Sequence, residues 1–351
     1  MIVLFIVMAI TITALGFVTQ SDVELACGQN MVLHRQMDYL AESGLEHARG
    51  LILNPQDVSS EYWAGANSLQ LVSGSDYYNV AVLRDLNDRC NYTIDCTSYR
   101  LNGTETTGRS SLRAVLRIDP CIAYWVGSNT TVRPQMMITG DMYCGGNLTN
   151  SGAIDGDVFA AGTITGTNIT GRKNASVTSA PVAWPNLAIT DLGSYTLIDP
   201  NNGTLSQPVY PAGVYYCVSD VNMVGNVKIN GTLVVGGKLT VSGPNNTIIA
   251  AKNFPALVVT GQVVMKQGSA LAVNGLAQIG QGISIDAGAT SASIQVTGGL
   301  FVQTGGVVSD AISVSVVAAP EIASIEVSPA GVSRRWGPAS GAFFRSIERM
   351  P

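Results

Sequence analysis

Residues 227–243 read VKINGTLVVGGKLTVSG, a stretch in which apolar residues alternate with polar ones and glycine marks the corners. Such alternation is typical of strands whose side chains point to opposite faces. Glycine and asparagine suit the corners, because both accept the positive φ of a sharp turn. We expect Thr232 to face water and six apolar side chains to face a core. These six are Val227, Ile229, Leu233, Val235, Leu239 and Val241.

The same unit, apolar-x-apolar-x-Gly-x-apolar, recurs from Met136 onwards. Further copies lie at 138–143, 154–159, 164–166, 169–171, 256–265, 271–276 and 294–302. Short strands with glycine or asparagine at each corner favour a parallel β-helix over residues 124–318. A β-sandwich is the alternative fold, and it would show longer strands at a spacing of about 8–12 residues.

Residues 172–213 interrupt the repeat. This segment contains five prolines, together with Trp184 and Tyr195. We interpret it as a loop excursion that crosses one face of the coils. A loop of this length is either functional or a lid on the core.

Charge is scarce in this chain of 351 residues. Charged residues make up 12%, against about 25% in an average soluble domain, and the net charge is −5. Between Val214 and Ala318 there are seven charged residues. The negative balance without a basic stripe excludes a nucleic-acid-binding protein. A hydrophobic content of 46% excludes a disordered chain.

The N-terminus is an apolar run, Ile2–Val18, followed by Asp22 and Glu24. Its 17 residues reach the lower limit for a bilayer span of about 17–25 residues. A cleaved signal peptide and a lipoprotein processed before Cys27 are alternatives, and we favour an uncleaved transmembrane helix. The predicted membrane-anchor and assembly residues are Ile2, Leu4, Phe5, Ile6, Ile10, Leu15, Gly16 and Phe17.

The helix is predicted to continue to the end of a first region, residues 1–54, because no proline precedes Pro55 and apolar residues recur at helical spacing. Asp38, Glu42, Glu46 and Arg49 are placed on the opposite, wet side. Residues 55–123 form a second region. Three strands, 77–83, 91–99 and 112–118, predict an antiparallel meander packed on the helix.

The segment Met37–Ala48, MDYLAESGLEHA, resembles the minor pilins of type IV pili and the pseudopilins of type II secretion systems, in which a similar segment ends a long first helix. The resemblance covers about residues 1–53, and its motif residues are Ala41, Glu42, Gly44, Leu45 and Glu46. Phe5 stands where members often have Glu, and no basic leader precedes the apolar run in this sequence. The repeat region loosely resembles bactofilin and adhesin β-helices. More closely, Pro211–Cys217 and the run at 225–235 resemble the C-terminal β-helix of some bacterial pilin-like membrane proteins.

The resemblance implies a pilin-like head and a non-enzymatic structural role in a pilus or secretion system. It implies a single-pass inner-membrane protein with its C-terminal region in the periplasm or outside the cell, or a subunit of a cell-surface pilus. Its partners would be the membrane and other pilin-like subunits. The alternative is a membrane-anchored adhesin or a carbohydrate-binding or carbohydrate-cleaving β-helix, with a glycan as ligand.

Catalytic chemistry has few candidates. His34 and His47 lack the spacing of a metal pair and are predicted to be solvated. Asp141 and Asp157, one coil apart, could hold Ca²⁺, but a solvated turn is the preferred interpretation. We therefore predict no catalytic residue, no metal site and no cofactor.

Six cysteines show no metal-ligand spacing. Cys96 and Cys121 are a candidate disulfide, and at least two of the six are expected to be buried thiols. Residues 319–351 are predicted to be a capping tail, in which 341–349 can form a short amphipathic helix.

Overall fold

Helix α1, Ile2–Leu53, is the longest element of the chain, and most other described residues are in strands. A computed structural model describes residues 2–53, 62–86, 90–119, 121–184, 196–198, 203–250, 254–318 and 341–349. Two compact units are present. The first comprises residues 1–83, 92–116 and 344–351, and the second comprises 84–91 and 117–343.

In the first unit, α1 packs on a sheet, as predicted. Its first four strands follow chain order: β1 (Gly65–Leu69), β2 (Asp76–Arg84), β3 (Asn91–Asn102) and β4 (Glu105–Asp119). β2, β3 and β4 contain the three predicted strands. The helix buries one stripe at helical spacing, formed by Met37, Ala41, Leu45, Ala48 and Ile52.

The second unit is a parallel β-solenoid, as predicted, and it has about nine turns. Its strands up to Asn174 are β5 (Ile122–Val126), β6 (Thr130–Val132), β7 (Met136–Thr139), β8 (Asp141–Cys144), β9 (Leu148–Asn150), β10 (Ala153–Asp155), β11 (Val158–Ala160), β12 (Ile164–Gly166) and β13 (Lys173–Asn174). The strands from Thr196 onwards are β14 (Thr196–Leu197), β15 (Thr204–Leu205), β16 (Val209–Cys217), β17 (Val221–Met223), β18 (Lys228–Val235), β19 (Leu239–Val241), β20 (Asn246–Ile249), β21 (Leu257–Val259), β22 (Val263–Met265), β23 (Ser269–Ile279), β24 (Ile283–Ile285), β25 (Ala292–Val302) and β26 (Ile312–Ala318).

The coils do not stack in chain order. The strand order along the principal sheet is β13-β11-β8-β5-β25-β23-β20-β18-β16-β14, with β21 between β18 and β23. The first coils therefore wind outward from β5 to β13. The chain then passes to the opposite end at β14 and winds back, until β25 pairs in parallel with β5 and β26 pairs with β7.

The six residues predicted to face the core of the solenoid are confirmed, since all six are fully buried. The prediction for Thr232 is wrong. Its side chain is also fully buried, and its Oγ1 donates a hydrogen bond to the Pro255 carbonyl at 2.7 Å. The reason is that Phe254, just before Pro255, packs with Val234 and Val258 over the outer side of β18.

Stacked glycines form one corner of the coils. Gly231 and Gly298 have φ of 130° and 143°, and a Cβ on either would collide with the backbone of the glycine in the adjacent coil, Gly213 or Gly275. Both the conformation and the close approach therefore require glycine.

An apolar strip runs along the outside of the principal sheet, and we call it the outer ladder. In register order it contains Phe159, Tyr143, Trp125, Phe301, Gln278, Val258, Val234 and Tyr216. Four residues of the interrupting segment, Val177, Ala180, Val182 and Trp184, pack on its aromatic part. Trp125 Nε1 also donates a hydrogen bond to the Val182 carbonyl at 3.0 Å. These four residues thus cover an external apolar surface, and inside the predicted excursion β13 pairs with β11 and β14 pairs with β16.

Cys90 and Cys121 form a disulfide, with their Cα atoms 6.3 Å apart. The predicted Cys96–Cys121 pair is wrong, because Cys96 faces α1 under Gly44. The Cys90 carbonyl accepts a hydrogen bond from the Ile118 amide, which brings Cys90 close to Cys121. Cys96, Cys144 and Cys217 are buried free thiols, as expected for at least two cysteines.

Residues 319–340 of the predicted capping tail lie outside the described residues. The helix predicted over 341–349 is wrong, because Gly341–Arg349 is a strand, β27, next to β4 in the sheet order. A nine-residue helix is marginal on its own, whereas the free edge of a sheet supplies hydrogen-bond partners for a whole strand.

Candidate functional site

The N-terminal part of α1 is exposed on all sides. Among the predicted anchor residues, Leu4, Ile6, Ile10, Leu15 and Phe17 are 51–75% exposed, and a Cβ on Gly16 would meet no atom within 4 Å. Ile2 and Phe5 lie in the helix, but their side chains are outside the described residues. By length and composition alone, α1 is apolar enough to cross a membrane.

The hydroxyl groups in this segment are satisfied within the helix. Thr11 donates a hydrogen bond to the Val7 carbonyl at 2.8 Å, and Thr13 donates to the Ala9 carbonyl at 2.9 Å. A polar side chain bonded in this way needs no water, so it is compatible with a hydrocarbon environment. Thr19 bonds similarly to Leu15 at 3.0 Å, and charged residues begin with Asp22.

The motif residues divide between two faces of α1. Ala41, Gly44 and Leu45 are buried against the sheet, and Glu42 and Glu46 are exposed. A Cβ on Gly44 would collide with Cys96 Sγ and would lie 2.9 Å from Cδ2 of Tyr78. Gly44 therefore sets how closely the helix approaches β2 and β3. A role of these residues in assembly stays a prediction.

Asp38 lies in the helix–sheet contact, so its predicted place on the wet side of the helix is wrong. Its side chain is 5% exposed, and Oδ1 accepts a hydrogen bond from the Ser110 hydroxyl at 2.7 Å. His34 and Arg35 lie 3.4 and 3.7 Å from its carboxylate oxygens. The hydroxyl of Ser98 donates to the Met37 carbonyl at 2.6 Å. Ser98 lies in a predicted strand and Ser110 lies two residues before the next one, and this pair of serines is the signal that could have indicated the polar contact.

The prediction that His47 is solvated is wrong. Its Nδ1 is 2.9 Å from the Tyr78 hydroxyl, and its ring lies 5.7 Å from that of Trp63. Burial, followed by the nearby Cys96, raises the pKa of Tyr78. Burial also raises the pKa of Cys96 to about 12, so this thiol stays protonated and unreactive. His34 is exposed, as predicted.

The two aspartates considered for Ca²⁺ are ion-paired. Asp141 is fully buried, lies 2.8 Å from Arg117 Nη2, and accepts hydrogen bonds from the amides of Cys121 and Asp157. Asp157 is paired with Arg172; burial opposes its ionisation, but the Arg172 hydrogen bonds and charge hold its pKa below the ordinary value. The preferred interpretation, a solvated turn, is therefore wrong for Asp141. Among the described residues, no group of three or more His, Cys, Asp or Glu could hold a metal ion.

No protein-family model and no curated protein matches this chain. Among solved structures, the crystal structure of the competence-associated pilin ComZ from Thermus thermophilus is similar to it. The similarity covers 91% of this chain and 98% of that chain, at 13% sequence identity and a TM-score of 0.31. A TM-score of this size carries no conclusion about function, which therefore depends on the residues of this chain.

Proposed function

We propose that this chain is a non-enzymatic structural protein, a minor pilin- or pseudopilin-like subunit of a type IV pilus or secretion system. In this proposal α1 crosses the membrane once, and the sheet and solenoid lie outside the cytoplasm. Ala41, Gly44 and Leu45 of the motif join the helix to the sheet, and the predicted anchor residues contact lipid or neighbouring helices.

The observation that supports this function most is the change of surroundings along one continuous helix. From Met37 to Ile52 one side of α1 is buried by the sheet, but from Ile6 to Val32 its large apolar side chains are exposed. Covering one such side chain is worth about 1.5–3 kcal/mol. A row of them on an exposed helix therefore calls for an apolar environment that the described part of this chain does not supply.

A bilayer alone covers only part of this row. Its hydrocarbon core accommodates about 20 helical residues. Leu25 and Val32, both more than half exposed, lie about 10 and 21 Å beyond Val18 at 1.5 Å per residue. Neighbouring apolar helices would cover them, which favours an assembling subunit over a protein with a simple membrane anchor.

The size of the solenoid favours a rare position in the assembly. Residues 121–318 contribute its coils, a bulk that would obstruct dense packing if every subunit carried it. We therefore expect a low-copy or tip subunit.

Cross-linking from Cys27 in intact membranes tests this function. Cys27 is exposed on α1, whereas Cys96, Cys144 and Cys217 are buried, so a thiol-directed cross-linker reacts selectively at Cys27. We expect adducts with a smaller, abundant pilin-like protein, and their loss in the control variant Cys27→Ser. If Cys27 stays exclusively monomeric under conditions in which pili assemble, the proposal is wrong.

A further inference from the structure

One end of the solenoid is formed by residues 163–174, which we call the terminal coil. β12 and β13 lie in this coil, and each is the last strand of its sheet, so within the described part of the chain no strand pairs with their outer side. Ile164 and Ile169 of this coil pack on the core but are only half-buried. The last coil of a solenoid exposes a strand edge on which a further strand can pair.

Backbone hydrogen bonds show which groups of the terminal coil face outwards. The Leu148 amide donates to the Thr163 carbonyl at 2.8 Å, and the Val158 amide donates to the Arg172 carbonyl at 2.8 Å. These two carbonyls therefore point back into the stack. Because backbone polar groups of successive strand residues point in opposite directions, the N–H and C=O of the next residue in each strand point out of the open end.

Lys173 stands at an inward-facing position of this last coil. Val158 of β11 pairs in register with Lys173, so both side chains lie on the same face of the sheet. From Val158 onwards this column of paired positions continues through seven more residues, Met142, Tyr124, Leu300, Ala277, Leu257, Leu233 and Tyr215. All eight are buried in the core of the solenoid. A column of core side chains thus ends in a lysine.

The Lys173 side chain crosses the open end. Its Nζ donates a hydrogen bond to the Gly166 carbonyl on β12 at 3.0 Å. Gly166 is two residues after Ile164, so its carbonyl also points out of the stack. The neighbouring Arg172 is paired with Asp157, whereas Lys173 forms no ion pair with any described residue. Lys173 therefore puts an uncompensated positive charge over the end of the apolar core.

We propose that Lys173 prevents the terminal coil from stacking on the terminal coil of a second copy of this chain, and that the coil becomes a dimer interface once this charge is removed. A second copy fits, because a two-fold axis brings two identical open ends together, with unpaired backbone groups on both sides. With Lys173 present, the contact would bury two ammonium groups next to each other without counter-charges, which is strongly unfavourable. An inward-pointing charge on an edge strand commonly blocks such pairing.

Distances between spin labels on the full chain test this proposal. In a Cys27→Ser background, the exposed residues Thr167 and Asn222 are replaced by cysteine, one at a time, and each cysteine receives a nitroxide. Thr167 lies in the terminal coil. Asn222 lies on β17, which follows β16, and β16 is eight strand spacings from β13, or about 38 Å. Two copies joined at their terminal coils would bring the labels at 167 close together and leave those at 222 about 80 Å apart.

Lys173→Met removes the charge and keeps a long side chain. In detergent solution we expect a short distance between labels at 167 in this variant, and no short distance while Lys173 is present. Lys173→Arg keeps the charge and should give no short distance. Lys228→Met is the matched control, because Lys228 is exposed on β18, which has a strand on both sides, and it should behave like the unsubstituted chain.

Three results would overturn the proposal. Lys173→Met gives no short distance, the chain with Lys173 already gives one, or the labels at 167 and 222 both give one, which means lateral association. Lys173→Thr repeats the test with a short uncharged side chain, and thermal unfolding compares the stability of all variants. If Lys173→Met and Lys173→Thr both lose stability and neither pairs, Lys173 only stabilises its own coil and the proposal is wrong.

Discussion

Thr232 and Leu233 are neighbours on β18 with opposite side-chain directions, and both are fully buried. Leu233 faces the core because of the strand's alternation, which the sequence shows directly. Thr232 is covered because Phe254 and Pro255 pass over the other face. Alternation predicts which side a residue faces, but not whether a distant segment then covers that side. The same limit explains why the polar contacts of Asp38 and His47 were not predicted.

Substitution of these residues distinguishes the two kinds of burial. Leu233→Ala should reduce the free energy of unfolding by about 2–5 kcal/mol, because it leaves a cavity. Thr232→Ala should cost about 1–3 kcal/mol, because the Pro255 carbonyl then lacks its donor. The control Ser293→Ala, at an exposed position of β25, should change stability by less than about 0.5 kcal/mol. Urea unfolding measures all three, and equal effects of Thr232→Ala and Ser293→Ala would contradict the assignment.

Among the elements, those with strong local periodicity were predicted from sequence: α1, the three strands of the meander and the short solenoid strands. β1 was not predicted, because GANSL lacks the β-branched and aromatic residues typical of strands. β27 was misassigned as a helix, because its neighbour β4 is more than 200 residues earlier in the chain. Elements that depend on a distant partner carry little local signal.

Two glycines of α1 test how closely the helix must approach its sheet. Gly44→Ala should destabilise the protein, since the new Cβ would collide with Cys96 Sγ and crowd Tyr78. Gly50→Ala is the matched control, because a Cβ there meets nothing within 4 Å. Alanine should stabilise the helix at that position by about 0.5–1 kcal/mol. Thermal unfolding of both variants measures the difference, and a stabilising Gly44→Ala would show that the helix–sheet contact is looser.

At the scale of the whole chain, the repeats predict a solenoid but not the order in which its coils stack. The short apolar strands of the different coils are nearly alike in sequence. Local patterns therefore do not indicate which strands will lie on either side of β5, which in the structure are β8 and β25. The pairing of the last coils with the first is set by the outer ladder, where Trp125 stacks on Phe301 with ring centroids 5.9 Å apart. These two residues are 176 positions apart in the sequence, and no local pattern connects them.

Because the returning coils pair with the first coils, we expect the two halves of the solenoid to stay associated after the chain is cleaved between them. A protease site inserted after Trp184 separates the outward coils from the returning coils. The β5–β25 and β7–β26 pairs should hold the halves together, since Tyr124, Val126, Leu300 and Val302 are fully buried at the seam. The Cys90–Cys121 disulfide lies within one fragment, so the association is not covalent.

Size-exclusion chromatography of the cut protein measures the association. We expect one species without denaturant and two fragments in urea. β27 belongs to the second fragment and lies next to β4 of the first, so it could also hold the fragments together. A cut chain that ends at Ala318 lacks β27 and is therefore the control. If the cut chain ending at Ala318 separates without denaturant, the β5–β25 and β7–β26 pairs do not hold the halves together, and the observed strand order is wrong.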